Sequence, residues 1–258
     1  MRLFLRLYRF FKEVRWVSFF RALRFTKNPI FIVGCERSGT TLLLSILGAH
    51  PNVFAIPHET NAYYYYLQKR SSILNMLIRR KKILGHLLKQ RIPKSSKRFC
   101  EKTPRHVLYI GEILRDYNNN VNIIHIIRDG RDVISSVHPD YPERKNFVTI
   151  ESWKQRTGNG YKYTNHPKVL TVKYENLISC YKETMQLIMQ FIDEPYHKNI
   201  DEFFLHTNVK THSAWKNGVK PLYNHSVRKH ENLDKSPDVR AFESDKDSMD
   251  LLEMLGYE

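Results

Sequence analysis

Five short stretches of this chain have strand character: residues 30–33, 53–56, 98–102, 121–127 and 169–173. The stretch 121–127 (Val-Asn-Ile-Ile-His-Ile-Ile) is close to a continuous apolar run, as expected of a strand covered on both faces of a parallel sheet. Between these runs the apolar spacing lengthens to that of helices. Helices are expected over 40–48, over much of 61–91, from about 106 to 117, after the turn at 128, and over 179–192. His50-Pro51 closes the first of these, because proline disfavours helical geometry in the residue before it, and Asn118-Asn119-Asn120 marks a turn. Strands alternating with helices predict an α/β fold in three layers, with a central parallel sheet flanked by helices. Ligands on such sheets bind beyond the carboxyl ends of the strands. Residues 34–41, 57–60, 101–105 and 128–136 each follow an expected strand, so all four can meet in one crevice.

The first of these segments has the most readable chemistry. A buried strand runs into a loop bounded by Gly34 and Gly39, and a helix opens at Thr40. The first N–H groups of a helix have no partner within it, and the helix dipole adds partial positive charge, so an anion completes such a loop. The spacing Gly-x4-Gly is P-loop-like, but a nucleoside triphosphate loop continues with Lys, and here Thr40 stands in that place. The loop's own cation is Arg37, with the hydroxyls of Ser38, Thr40 and Thr41 beside it. Arg128 offers a second guanidinium after the fourth strand, with Ser136 eight residues further on. Lys102 offers a cation after the third strand and Glu59 a carboxylate after the second, where His58 is a rival base.

Net charge changes the picture of partners. The 258-residue chain carries +16, distributed unevenly. Residues 69–105 hold 13 Lys and Arg against Glu101 alone, whereas residues 231–258 hold nine acids against three bases. Such a run is either a solvated face or a funnel for an anionic partner. Residues 1–27 carry eight bases and one acid interleaved with Leu, Phe, Tyr and Trp. They form an expected basic amphipathic helix, which could lie on an anionic membrane surface or pack on the domain's own core. Residues 28–258 then make one domain, with 61–98 a basic helical insertion and 231–258 an acidic closing segment. No stretch of about 18 apolar residues marks a membrane span. Cys35, Cys100 and Cys180 show no metal or disulfide spacing, which suits a reducing, cytoplasmic setting.

Gly34-Cys35-Glu36-Arg37-Ser38-Gly39-Thr40-Thr41-Leu42 resembles the 5′-phosphosulfate loop of the sulfotransferase superfamily. Arg128-Asp129-Gly130-Arg131-Asp132-Val133-Ile134-Ser135-Ser136 resembles its 3′-phosphate element. Pro57-His58-Glu59-Thr60 and Glu101-Lys102-Thr103-Pro104-Arg105-His106 stand where that superfamily often has such segments, and the closing Leu255-Gly256-Tyr257 is also similar. The resemblance runs from about residue 28 to 177 and is nearest the branch of tyrosylprotein and carbohydrate sulfotransferases. It implies transfer of a sulfuryl group from 3′-phosphoadenosine 5′-phosphosulfate (PAPS) to an acceptor hydroxyl or amine, without a metal. By that resemblance, Arg37 faces the 5′-phosphosulfate and the 34–41 backbone, with Ser38, Gly39, Thr40 and Thr41, cradles the 5′-phosphate. Arg128 and Ser136 hold the 3′-phosphate, Lys102 assists the sulfuryl oxygens and Glu59 is the general base. Tyr174 contacts the cofactor or is a core tyrosine.

Two departures bear on the acceptor. The matching tyrosylprotein enzymes place a cofactor-contacting Lys before a late Trp, where this chain has Ala214 before Trp215, with Lys210 and Lys216 nearby. Those enzymes also sit behind a membrane anchor that this sequence does not show. The expected acceptor is therefore a carbohydrate or glycolipid, bound by 61–98 and the C-terminal third. A nucleotide kinase is disfavoured by Thr40 and by a fourth strand that ends in Arg128 rather than an acid for magnesium. A nucleic-acid-binding protein fits the charge but lacks any recognisable binding motif, so no nucleic-acid partner is expected. A catalytically dead relative is disfavoured by the intact set Arg37, Glu59, Lys102, Arg128 and Ser136.

Overall fold

The computed structural model describes residues 25–64, 72–136, 147–210, 218–222 and 236–257. Residues 1–24 of the expected N-terminal helix lie outside these, as do 65–71, 231–235 and the Ala214-Trp215-Lys216 step. Five strands form one parallel sheet: β1 (Ile30–Gly34), β2 (Val53–Ala55), β3 (Arg98–Lys102), β4 (Asn122–Ile127) and β5 (Val169–Lys173). Their order is β2-β3-β1-β4-β5. Ile32 pairs with Lys102, Gly34 with Ile126 and Ile127 with Lys173, so the carboxyl ends of β3, β1, β4 and β5 lie in a row. The chain winds outward on one side of β1 and then on the other, which opens a crevice beside β1 at the strand ends.

Period-two alternation in β1 feeds two cores. Ile30 and Ile32 join Leu43 and Leu47 of the helix Thr40–Leu47 and Met185 and Ile188 of Tyr181–Phe191. Phe31 and Val33 join Ile83 and Leu87 of Ser72–Leu88 and Ile110 and Ile113 of Ile110–Asp116. Each fully buried aliphatic side chain contributes roughly 1.5–3 kcal/mol, so both faces of β1 hold the layers together. A third cluster caps the strand ends. Here Cys35, Ile127 and Val133 meet Trp153 of Ile150–Tyr161, Phe242 of Pro237–Ser244 and Leu252 of Lys246–Met254. The acidic closing segment is thus helical over 237–254 and packs beside the crevice.

Local geometry departs from expectation at three places. After β3 the chain first makes a 3-10 helix, Pro104–Tyr109, and turns α-helical only at Ile110, with Pro104 opening the first turn where its missing N–H costs nothing. The helix expected over 179–192 is observed as Tyr181–Phe191, and a separate short helix, Tyr174–Ser179, precedes it, because Cys180 between them leaves helical geometry (φ −123°, ψ 52°). The helix after β4 is only Gly130–Ile134, so Ser136 lies beyond its end rather than two turns inside it. Among the described residues no helix is long and apolar enough to cross a membrane.

His125 in β4 is fully buried, and neither ring nitrogen has a hydrogen-bond partner among the described residues. Burial pushes its pKa down from 6.5 to about 4. The unfolded chain takes up a proton on this ring below pH 6.5, whereas the folded chain resists until about pH 4. Stability should therefore fall as pH drops through that window, by roughly 3 kcal/mol in total. Urea unfolding from pH 7 to 4 should show a shallower acid loss in His125→Leu than in the native protein; equal slopes would disprove the assignment.

Candidate active site

The site grows from the turn after β1. A Cβ on Gly34 would run into the carbonyl oxygen of Ile126, so the strand end reaches β4 closely only as glycine. Gly39 caps the helix Thr40–Leu47 with φ 91°, and a Cβ there would run into the ring of Tyr174. No side chain caps this helix and no acid stands in its first turn. Ser38 is 1% exposed, and its Oγ has no hydrogen-bond partner among the described residues. A buried hydroxyl without a partner beside an uncapped helix start fits an incoming phosphate-like group. Arg37 itself has φ 71°, a left-handed conformation that an L residue adopts only when its surroundings hold it.

Those surroundings come from β4. Arg128, 6% exposed, donates from Nη1 to the Arg37 carbonyl at 3.0 Å and from Nη2 to Asp132 at 3.3 Å. Its guanidinium lies 4.7 Å from the centre of the Tyr174 ring. The Arg128 carbonyl accepts from Trp153 Nε1 at 3.3 Å. Arg37 Nε donates to Ser136 Oγ at 3.1 Å, and that hydroxyl donates to the Val133 carbonyl. Arg37, Ser38, Gly39, Thr40, Arg128, Ser136 and Tyr174, read separately along the sequence, therefore belong to one linked structure. Thr41 follows in the first turn of the same helix, and its carbonyl accepts from Ser45.

β2 and β3 supply the second half. Lys102, 1% exposed, ends β3 and donates from Nζ to Glu59 Oε1 at 2.7 Å. The Glu59 side chain is 39% exposed and that of Lys102 2%, so the carboxylate is the more open half of the pair. His58 is exposed and has no such partner among the hydrogen bonds described around it. Below this pair sits Glu101, fully buried, which accepts from Thr60 Oγ1 at 2.8 Å and Thr103 Oγ1 at 2.6 Å and pairs with His106 Nδ1 at 3.0 Å. Burial alone would push its carboxyl up, but His106 and the two hydroxyls outweigh it and hold the group below the ordinary carboxylate range. His106 is thus a buried partner, not a base. Cys35 is no nucleophile either, since burial and the neighbouring Glu36 push its thiol up to about 12.

The profile described as the sulfotransferase family matches residues 29–198. This chain belongs to the sulfotransferase family. It is 28% identical to a putative protein-tyrosine sulfotransferase of Caenorhabditis briggsae over 66% of the chain and 67% of that protein. It is 27% identical to a protein-tyrosine sulfotransferase of Drosophila melanogaster over 65% of the chain and 38% of that protein. The chain spans from 30% to 67% of the lengths of the curated relatives it matches. Among solved structures, the sulfotransferase domain of the Synechococcus PCC 7002 olefin synthase shares the fold, with TM-score 0.61 at 17% identity over 90% of this chain and 96% of that one. A mouse sulfotransferase complexed with PAP gives 0.54 at 17% identity, over 89% and 88%.

The family chain also uses residues that motif reading passed over. Asp132 binds Arg128 one helical turn away, and Asp129 caps the same short helix by accepting from Arg131 N. Glu36 in the first loop joins Arg105 at 2.6 Å and Arg156 at 2.5 Å, tying the turn after β1 to that after β3. Glu175 accepts from Asp129 N and from Tyr257 Oη, which docks the closing Leu-Gly-Tyr onto the β4 turn. Glu101, an acid inside a strand, was the one readable sign of such buried pairing.

Gly39→Ala should destabilise the chain by roughly 1–3 kcal/mol, combining a positive φ with overlap on Tyr174. Chemical denaturation of Gly39→Ala, Tyr174→Ala and the double variant should show that the double loses less than the sum. Strict additivity would mean that the two residues do not meet.

Proposed function

We propose that this chain transfers a sulfuryl group from PAPS to an acceptor hydroxyl or amine. The observation that carries this reading is the joined pair of guanidinium sites, Arg37 held to Ser136 and Arg128 held to the Arg37 carbonyl, at the ends of β1 and β4. Two anionic groups at opposite ends of one ligand suit that arrangement better than a single phosphate does. The PAP complex of the mouse relative supports the same donor class.

PAPS supplies the sulfuryl group and leaves as PAP. The chain's own residues do the rest. The backbone at 38–41, with Ser38, Thr40 and Thr41, receives the 5′-phosphate. Arg128, pre-set by Asp132 and Tyr174, and Ser136 receive the 3′-phosphate, for which a guanidinium fork is well shaped. Arg37 meets the charge that develops where the sulfuryl group departs, and Lys102 meets the sulfuryl oxygens. Glu59 takes the acceptor proton; Lys102 already occupies Oε1, so Oε2 is the atom facing that proton.

The acceptor reading is finer. A sugar hydroxyl on a carbohydrate or glycolipid accords with the basic 61–98 segment beside Glu59. A peptidyl tyrosine is favoured instead by the two relatives named as protein-tyrosine sulfotransferases. Parallel turnover assays with both acceptor classes decide between them.

Calorimetric titration should show PAP binding without magnesium and far above ATP or 5′-AMP. Magnesium-dependent ATP binding with no PAP binding would replace sulfotransfer with kinase chemistry. Ser136→Ala should weaken PAP about tenfold, the worth of one hydrogen bond to a charged group. It is the cleaner probe, because Arg128→Ala would also leave Asp132 buried without its cation. Arg37→Ala should lower kcat by about two orders of magnitude. Glu59→Gln should cut kcat while PAP affinity holds; full activity in Glu59→Gln with loss in His58→Ala would transfer the base to His58.

A further inference from the structure

The helix Ser72–Leu88 has an apolar side that the fold leaves outward. Ile73, Leu74, Leu77 and Leu84 are 37% to 67% exposed. At 3.6 residues per turn, Ile73, Leu77 and Leu84 share one stripe about 16 Å long, with Lys81 along one flank and, along the other, Arg80, whose guanidinium donates to the Asp116 carbonyl and lies over the Tyr117 ring. The stripe is not the core side: Ile83 and Leu87 are the buried residues, and Arg79 is turned to Asp116 at 3.0 Å and to the Tyr63 ring. The helix contains no acid. Arg91, Lys94 and Lys97 just beyond it are exposed, and the single acid of the basic segment, Glu101, is buried against His106.

We propose that this face docks onto the headgroup layer of an anionic lipid bilayer. An exposed apolar ridge gains from leaving water, and the bases beside it gain from anions. A membrane surface supplies both at one depth. The other candidate occupants meet only half of the requirement. A second copy of the same face would set basic helix against basic helix, and residues 1–24, with seven bases and one acid, would add positive charge to positive charge. Lys82, which donates from Nζ to the Asn61 carbonyl at 2.7 Å, stands on the opposite side of the helix from the stripe, so docking leaves the tie to the Glu59 segment undisturbed.

Vesicle co-sedimentation of the full chain tests the idea, with phosphatidylcholine alone and with phosphatidylcholine mixed with phosphatidylserine. The native chain should bind the mixed vesicles at least about tenfold more tightly than phosphatidylcholine alone. Leu77→Glu/Leu84→Glu should abolish most of that binding, and Lys81→Glu should weaken it several-fold. Leu187→Glu, an exposed leucine on a different helix, should leave it unchanged. All variants should keep the native circular dichroism and PAP affinity, which separates a docking failure from a failed donor site. Undiminished binding in Leu77→Glu/Leu84→Glu, with loss in Arg6→Glu/Arg9→Glu, would overturn the proposal in favour of residues 1–24. Equal binding to both vesicle types would overturn the anionic requirement. A native dimer that Leu77→Glu/Leu84→Glu converts to monomer, without vesicle binding, would make the face a self-association surface.

Discussion

Arg128 is the charge on which the crevice depends. Its guanidinium is almost fully removed from water, yet it reaches a carbonyl of the first loop, a carboxylate in the short helix that follows it and the face of an aromatic ring. A buried cation is tolerated only when such partners surround it, and each partner is fixed in turn by the cation. The Arg37 carbonyl accepts from it in a left-handed backbone that a free loop would abandon. The Tyr174 ring that lies over it also fills the space above Gly39. Charge burial thereby locks the loop after β1 to the turn after β4.

A second buried charge organises the other side. Glu101 gathers Thr60, Thr103 and His106 into one hydrogen-bonded group beneath the strand ends. Thr60 follows Glu59 and Thr103 follows Lys102, so the same carboxylate sets the backbone that presents the exposed Glu59–Lys102 pair. Glu101 is dry and fully bonded, whereas the Glu59 side chain is 39% exposed.

Tertiary packing also gives the charge asymmetry a place. The acidic residues near the end of the chain are carried by helices whose apolar sides cover the third cluster, beside Cys35 and Ile127. The basic run is carried by a different helix, tied to the Phe31 face of the sheet through Ile83 and Leu87.

Local pattern was enough to read the strands, because a parallel strand buried on both faces must be apolar along its length, as 121–127 is. It was enough to put the segments 34–41 and 128–136 at the ends of two strands that the sheet makes neighbours, because each directly follows an apolar strand run. It missed the short helix Tyr174–Ser179 and the helix end after Ile134, where helix bounds depend on what the next turn packs against. It did not show the contacts of Glu36 with Arg105 and Arg156 or of Glu175 with Tyr257, since contacts between residues distant in sequence leave no periodicity. Sequence by itself determined which groups could bind an anion and which strands would present them. The tertiary structure alone decided their pairing, that Arg37 meets Ser136 and Lys102 meets Glu59, because pairing follows from strand order and burial, which no local stretch of chain encodes.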